Sequence, residues 1–182
     1  MKSSADGATS NIKLELIDRC LWAPIRDAVA TIENQVYEPA RRDTIGSLEA
    51  VVLHPRGVSV VALEGESVAG FCLGAPLECF SRVSGVRTDP NWGQGNTLYS
   101  FDTAVEKRYR GRGIARGLKS FQLDTAKAAG YACVAGRNRV GHADAMWKLN
   151  SDLGAMQVQY LEDDYPDECI PNACIYYHIR LR

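Results

Sequence analysis

The chain reads as one layered α/β domain, with a central sheet and helices on both faces. Three observations lead there. Its 182 residues, 46% hydrophobic and 24% charged, suffice for one substantial core and are too few for two comfortable ones. Apolar residues recur at helical spacing in some segments and at strand spacing in others, and the two kinds are mixed along the chain. No internal repeat is found, which leaves a mixed layered domain instead of a solenoid or propeller.

Residues 1–11 are polar and read as a disordered N-terminus, so 12–182 is taken as the domain. Over 22–36, Trp22, Ile25, Val29, Ile32 and Val36 recur at steps of three and four, the mark of an amphipathic helix. A second helix is expected over 43–53, stopped by Pro55 and Gly57. Residues 58–63 and 68–73, turned by Glu64-Gly65-Glu66, form a strand hairpin. Residues 75–95 hold Pro76, Pro90 and three glycines and read as a long loop or flap. A strand over 97–105 follows, then a helix over 114–129 ended by Gly130, a strand over 131–135 and a helix over 142–153 before Gly154. Strands over 156–161 and 174–181 close the domain across an acidic connection. The order is ααββ, βα, βα, ββ.

Composition removes several function classes. With 21 basic and 22 acidic residues, the net charge of -1 creates no field that attracts nucleic acid or an anionic membrane. No apolar run approaches the roughly 20 residues that span a bilayer, and the N-terminus lacks the apolar core of a signal peptide, so a cytoplasmic location is expected. The six cysteines, at 20, 72, 79, 133, 169 and 174, lack metal-type spacing and read as buried free thiols. His54, His142 and His178 are scattered, and neither a metal nor a hydrolase triad is expected.

The chemistry concentrates in residues 105–118, where a strand ends, arginines and glycines accumulate and a helix begins. Amides at a helix N-terminus lack intrahelical acceptors, the macrodipole is positive there, and glycines admit close approach of a phosphate. The dinucleotide pattern starting at Gly111 and Gly113 fails at Arg116, and the nucleotide P-loop fails because Leu118 separates Gly117 from Lys119-Ser120. Arg110-Gly111-Arg112-Gly113-Ile114-Ala115 instead resembles the acyl-CoA signature Arg/Gln-x-x-Gly-x-Gly/Ala of the GNAT superfamily of N-acyltransferases. Asn138 and the segment 145–154, with Met146, Asn150 and Leu153-Gly154, are similar to that family's C-terminal motif.

The resemblance implies the GNAT fold, a mixed, mostly antiparallel sheet with splayed strands at an acyl-CoA cleft. It implies acetyl-CoA as cosubstrate, its pyrophosphate cradled by the amides of Arg110, Gly111, Arg112, Gly113, Ile114 and Ala115. The backbone of Ala104 and Val105 would pair with the pantetheine arm, and Asn138 would belong to the same site. Arg137 and Arg139 form a short basic pair read as surface, with the 3′-phosphate or adenine side of CoA as the alternative. Many members carry a tyrosine four residues before the glycine of Leu-Gly, where this chain has Asn150, which can donate a hydrogen bond but cannot serve as an acid. Members that use a carboxylate or histidine base place it near the positions of Tyr99 and Phe101; Tyr99 could relay a proton through water. Asp102 is the nearest carboxylate, though strand alternation puts it on the opposite face. Glu33, four residues before Tyr37, falls where relatives line the acceptor site.

The acidic run 162–168, five carboxylates in seven residues, suggests a cationic acceptor. The expected activity is acetyl transfer to a primary amine of a small molecule such as a polyamine or a lysine-like amino acid, by direct transfer in a ternary complex. The alternatives are a protein lysine or N-terminal acetyltransferase and a non-catalytic acyl-CoA sensor. A homodimer through the closing strands is left open.

Overall fold

The computed structural model describes residues 11–164 and 170–181. The expectation of disorder at 1–11 falls outside them except for Asn11, and Tyr165, Pro166, Asp167 and Glu168 of the acidic run fall outside as well. The elements run β1 (Ile12–Leu16), α1 (Arg19–Val36), α2 (Ile45–Val52), β2 (Val60–Glu64), β3 (Ser67–Pro76), β4 (Thr97–Val105), α3 (Ile114–Ala128), β5 (Cys133–Arg139), α4 (Asp144–Asp152), β6 (Met156–Leu161) and β7 (Cys174–Arg180). The seven strands form one sheet in the order β1-β2-β3-β4-β5-β7-β6, parallel between β4 and β5 and antiparallel elsewhere.

β1 is an addition to the sequence expectation. Its Ile12-Lys13-Leu14-Glu15-Leu16 alternates at the strand period and pairs with β2 at the edge of the sheet. Helix α1 begins where the Asp18 side chain accepts from the Leu21 amide at 2.8 Å, and α2 where Thr44 Oγ1 accepts from the Ser47 amide at 3.1 Å. On one face of the sheet, Trp22, Ile25, Val29 and Ile32 of α1 and Leu48, Val51 and Val52 of α2 pack against Val61, Phe71, Leu73 and Tyr99. On the other, Ile114 and Leu118 of α3 cover Val60, Ala62, Ala69 and Cys72, while Trp147 of α4 lies against Tyr177 with ring centroids 6.0 Å apart. Each such side chain fully removed from water contributes about 1.5–3 kcal/mol.

The segment expected to be a long loop or flap is largely loop and turn, and it is packed down. Leu77, Phe80 and Val86 are buried, and Asp89 reaches β7, accepting from the Tyr176 hydroxyl at 2.5 Å and contacting His178 Nε2 at 2.7 Å. Burial alone would lower the His178 pKa, but the Asp89 carboxylate and the Cys133 thiol outweigh it and raise it to about 9. The pair's contribution to stability is therefore full below the ordinary histidine value of about 6.5 and is lost as pH rises through about 9. The melting temperature is expected to fall across that window, and His178→Gln should flatten the fall.

Two irregularities shape the functional end. Opposite Leu73 and Gly74 the register on β4 jumps from Asp102 to Ser100, so Phe101 is an extra residue, a β-bulge. In β5, a Cβ at Gly136 would lie 2.4 Å from the Tyr177 hydroxyl oxygen, so only glycine lets that ring cross the strand. Gly136→Ala is expected to cost about 1–3 kcal/mol through overpacking, read as a melting point lower by several degrees.

Candidate active site

β4 and β5 pair only over Thr97–Tyr99 and Cys133–Ala135. Beyond Ser100 and Gly136 each strand keeps its outer neighbour, β3 or β7, and the two diverge. The fork opens a cleft of about 310 Å³, walled by Ser100 to Thr103 on β4, Arg137 to Arg139 on β5, Glu33 and Tyr37 from α1, and Met146 and Asn150 from α4. Val83 of the packed segment lines it too.

At the open end of β4 the chain turns through Lys107–Tyr109 into α3. The turn depends on Gly111 and Gly113, at φ 78° and 76°, a left-handed conformation that costs other residues about 1–2 kcal/mol. Gly113 caps α3 with no side-chain hydrogen bond, and the first turn holds no acidic residue, so its amides meet no anion from the protein itself. A hollow of about 250 Å³ lies beside them, bordered by Val105, Tyr109, Arg110, Ala115 and Leu149. Arg110 Nε donates to the Val105 carbonyl at 3.1 Å, joining the loop to the strand end. Arg112 and Arg116 are engaged with Glu64 at 2.7 Å and Asp152 at 2.8 Å; Arg116 borders this hollow, and Arg112 borders a second one with Ile12, Leu14 and Gly113.

Asn138 and Asn150 meet. Asn138 lies within β5, not past its end as the sequence suggests, and Asn150 Nδ2 donates to its Oδ1 at 2.9 Å. Asn150 is 1% exposed, and its Oδ1 is buried with no hydrogen-bond partner among the described residues. Its main-chain carbonyl accepts from the Ala155 amide at 2.9 Å, so the residue also closes α4.

A carboxyl cluster occupies the α1 side of the cleft. Glu33 is 1% exposed and takes a hydrogen bond from the Asp43 amide at 2.6 Å, while Asp102 accepts one from the Tyr37 hydroxyl. Among the described residues Glu33 Oε2 and Asp102 Oδ2 are both buried without another partner, and a proton shared between the two carboxyls satisfies both. Burial, then the Asp102 charge, raises the Glu33 pKa to about 7. Burial raises Asp102 to about 6 and, with the Glu33 charge, Asp43 to about 6. Such a pair takes up protons in steps belonging to both groups.

The Acetyltransferase (GNAT) family model matches residues 22–147, more than two thirds of the chain. The chain belongs to the GNAT family of acetyltransferases. No curated protein sequence matches it significantly. Among solved structures, an N-acetyltransferase from Staphylococcus aureus Mu50 is 18% identical with a TM-score of 0.72, covering 95% of this chain and 100% of that one. The ribosomal-protein-S18-alanine N-acetyltransferase from Escherichia coli is 16% identical at 0.71, covering 93% and 94%. NAA60 from Arabidopsis thaliana, solved with acetyl-CoA, is 19% identical at 0.72, covering 93% and 98%. At these identities the likeness establishes the fold.

Within this GNAT domain the sequence candidates divide clearly. Val105, Arg110, Gly111, Gly113, Ile114 and Ala115 border the hollow, Arg112 borders a neighbouring one, Ala104 is buried in the core of β4, and Asn138, Asn150, Tyr99 and Glu33 all line the fork. Tyr99 does so from inside an aromatic cluster, its ring 4.7 Å from Phe80. The expected opposition of Asp102 and Tyr99 is overturned: the extra residue Phe101 resets the alternation and brings Asp102 to the Tyr99 face, against Tyr37. Asp164 is not a solvated acidic-loop residue, because its side chain is 1% exposed and holds Arg137 at 2.5 Å against the cleft wall. Cys72, Cys133 and Cys174 are buried as expected, but Cys20 and Cys79 are exposed. Tyr37, Asp43 and Lys119 line the cleft without having been singled out. No three His, Cys, Asp or Glu groups among the described residues are placed to hold a metal, and no helix there is long and apolar enough to cross a membrane.

Proposed function

We propose that this acetyltransferase moves an acetyl group from acetyl-CoA to the primary amine of a cationic small molecule, a polyamine or lysine-like compound, by direct attack within a ternary complex. The observation that carries the reading is the Glu33–Asp102–Asp43 carboxyl cluster at the fork, with Glu33 poised at about 7. A general base works best when its pKa lies near the operating pH. The ammonium form of the acceptor is drawn to the carboxylates, loses a proton to the Glu33–Asp102 pair, and attacks the thioester as the neutral amine.

Acetyl-CoA would place its pyrophosphate on the amides of Arg110 to Ala115. Its pantetheine arm would follow the open edge of β4 from Val105 and Ala104 inward. From Val105 to Ser100 that edge is about 17 Å long at the usual strand rise, and an arm laid along it carries the thioester to the fork. Asn138 and Asn150 would orient the arm or the acyl group, Asn150 through the carbonyl oxygen that has no partner among the described residues. Residues 12–182 would act as one domain, and the free thiols fit a reducing compartment such as the cytoplasm.

The walled cleft, with Val83 on one side, favours a small acceptor over a polypeptide. The test is CoA-thiol release from acetyl-CoA across diamines, polyamines, lysine-like amino acids and short peptides. Release with cationic small amines exceeding that with peptides by at least about tenfold in kcat/KM, or about 1.4 kcal/mol of transition-state binding, supports the reading. A preference for peptides would assign the chain to protein acetylation, and acetyl-CoA binding with no release on any amine would assign it to a sensor.

A further inference from the structure

Position 150 holds an amide, so the departing thiolate needs its charge met elsewhere. On the α3 side of the fork, Lys119 is 1% exposed and donates from Nζ to Ser100 Oγ at 2.5 Å. The Tyr177 hydroxyl is its second neighbour, held over Gly136. Ser100 and Gly136 are the first residues of β4 and β5 past their pairing, so the ammonium and the hydroxyl sit in the crotch of the fork, and both side chains line the cleft. Among the described residues Lys119 makes no salt bridge. A buried cation without a carboxylate is costly where a hydrophobic side chain of the same size is not. Burial alone would discharge Lys119, yet the groups around it keep the ammonium charged, so a positive charge lines the cleft where the strands part.

We propose that Lys119 and Tyr177 form the leaving-group site, receiving the CoA sulfur as a thiolate in place of the acid that position 150 lacks. This rests on the acetyl-transfer reading above. The pair passes the ammonium's first proton to water; the neutral amine nitrogen then attacks the carbonyl carbon and forms the C–N bond while its second departing proton passes to the Glu33–Asp102 pair. The C–S bond then breaks with its electron pair on sulfur, which the Lys119 ammonium and the Tyr177 hydroxyl stabilise. The thiolate gains its proton from water as CoA leaves, and the carboxyl pair returns its own to water, so the balance closes. The other groups facing Lys119 are Cys72 on β3, Asp102 on β4 and Gln122 on its own helix, with Ser100 and Tyr177 as above. At neutral pH the pair is ammonium and phenol, both held above their ordinary values although burial alone would discharge the lysine.

The test needs no acceptor. The thiol of bound CoA is titrated by the ultraviolet absorbance of its thiolate, with desulfo-CoA as the blank for the protein's own cysteines. The thiol pKa of bound CoA is expected to lie about one to two units below that of free CoA, as thiols beside a lysine do. Lys119→Met should return it to the free value and Tyr177→Phe should recover part of the shift. Lys119→Met should also lower kcat about 100-fold with the Michaelis constant for the amine little changed, a split that a merely structural lysine would not produce. If Lys119→Met does not fold, Tyr177→Phe decides alone. CoA binding with an unshifted thiol pKa, or a shift indifferent to both substitutions, overturns this assignment and leaves acetyl transfer standing. Failure of CoA to bind overturns both.

Discussion

Replacing Glu33 with Gln is expected to lower kcat for amine acetylation by about 100-fold or more at pH 7, the range assigned to a positioned general base. Glu33 is the carboxyl whose burial and whose neighbour Asp102 bring it to about 7. A base acts when deprotonated, so kcat/KM of the native protein should rise with pH, reach half its plateau near 7, and stay high above. In Glu33→Gln the activity that remains should lose that midpoint, because the carboxyl that titrates there is gone. The Michaelis constant for acetyl-CoA should change little, since the carboxyl lies across the cleft from the α3 N-terminus. A pH–rate profile of both proteins checks each point. A variant within threefold of the native rate at every pH would remove Glu33 from the mechanism.

Gly113→Glu is expected to weaken acetyl-CoA binding by at least 100-fold, measured by titration calorimetry. Two causes act together. At φ 76° any L side chain is strained by about 1–2 kcal/mol, and a carboxylate at the cap of α3 would stand where the pyrophosphate is proposed to bind. A Cβ there meets no atom within 4 Å, so crowding in the free protein is not the cause. Gly113→Ala isolates the backbone term and should cost about tenfold, the equivalent of about 1.4 kcal/mol. Equal losses from the two substitutions would mean that charge plays no part at this position.

Much of the fold was legible because its elements carry clean periods. The strands over 97–105 and 156–161 fall at their expected bounds, and the helix read from 114 begins at Ile114. Gly113, placed by the acyl-CoA signature, does cap that helix in the left-handed conformation. The misses have physical reasons. β1 is short and interleaved with Lys13 and Glu15, so its alternation was easily passed over beside the longer helix pattern. Asp102 was placed on the wrong face because a period of two assumes an unbroken strand, and a one-residue bulge at Phe101 leaves no mark in the local sequence.

Glu33 and Lys119 did leave a signal. Glu33 stands four residues after Val29, within the stripe of α1 that faces the core, and Lys119 lies beside Leu118 on the buried face of α3 with Gln122 and Ala126. A charged residue in register with an apolar stripe is either paired inside or exposed to a cleft. The convergence of Glu33 with Asp43 and Asp102, by contrast, is made by the turn after α1 and by the bulge, and neither has a sequence period. The packed state of residues 77–96 depends on Asp89 reaching Tyr176 and His178, contacts spanning nearly half the chain.

The central claim is direct transfer of acetyl from acetyl-CoA to an amine at the fork. Its most direct test is a mass-spectrometric account of one reaction mixture, following the amine, CoA, acetate and the intact protein as acetyl-CoA is consumed with the best acceptor of the panel. Acetylated amine appearing one for one with CoA, without an acetylated protein or free acetate, is the predicted result. Acetate in place of acetylated amine, or an acetyl group residing on the protein before it reaches the amine, would contradict it.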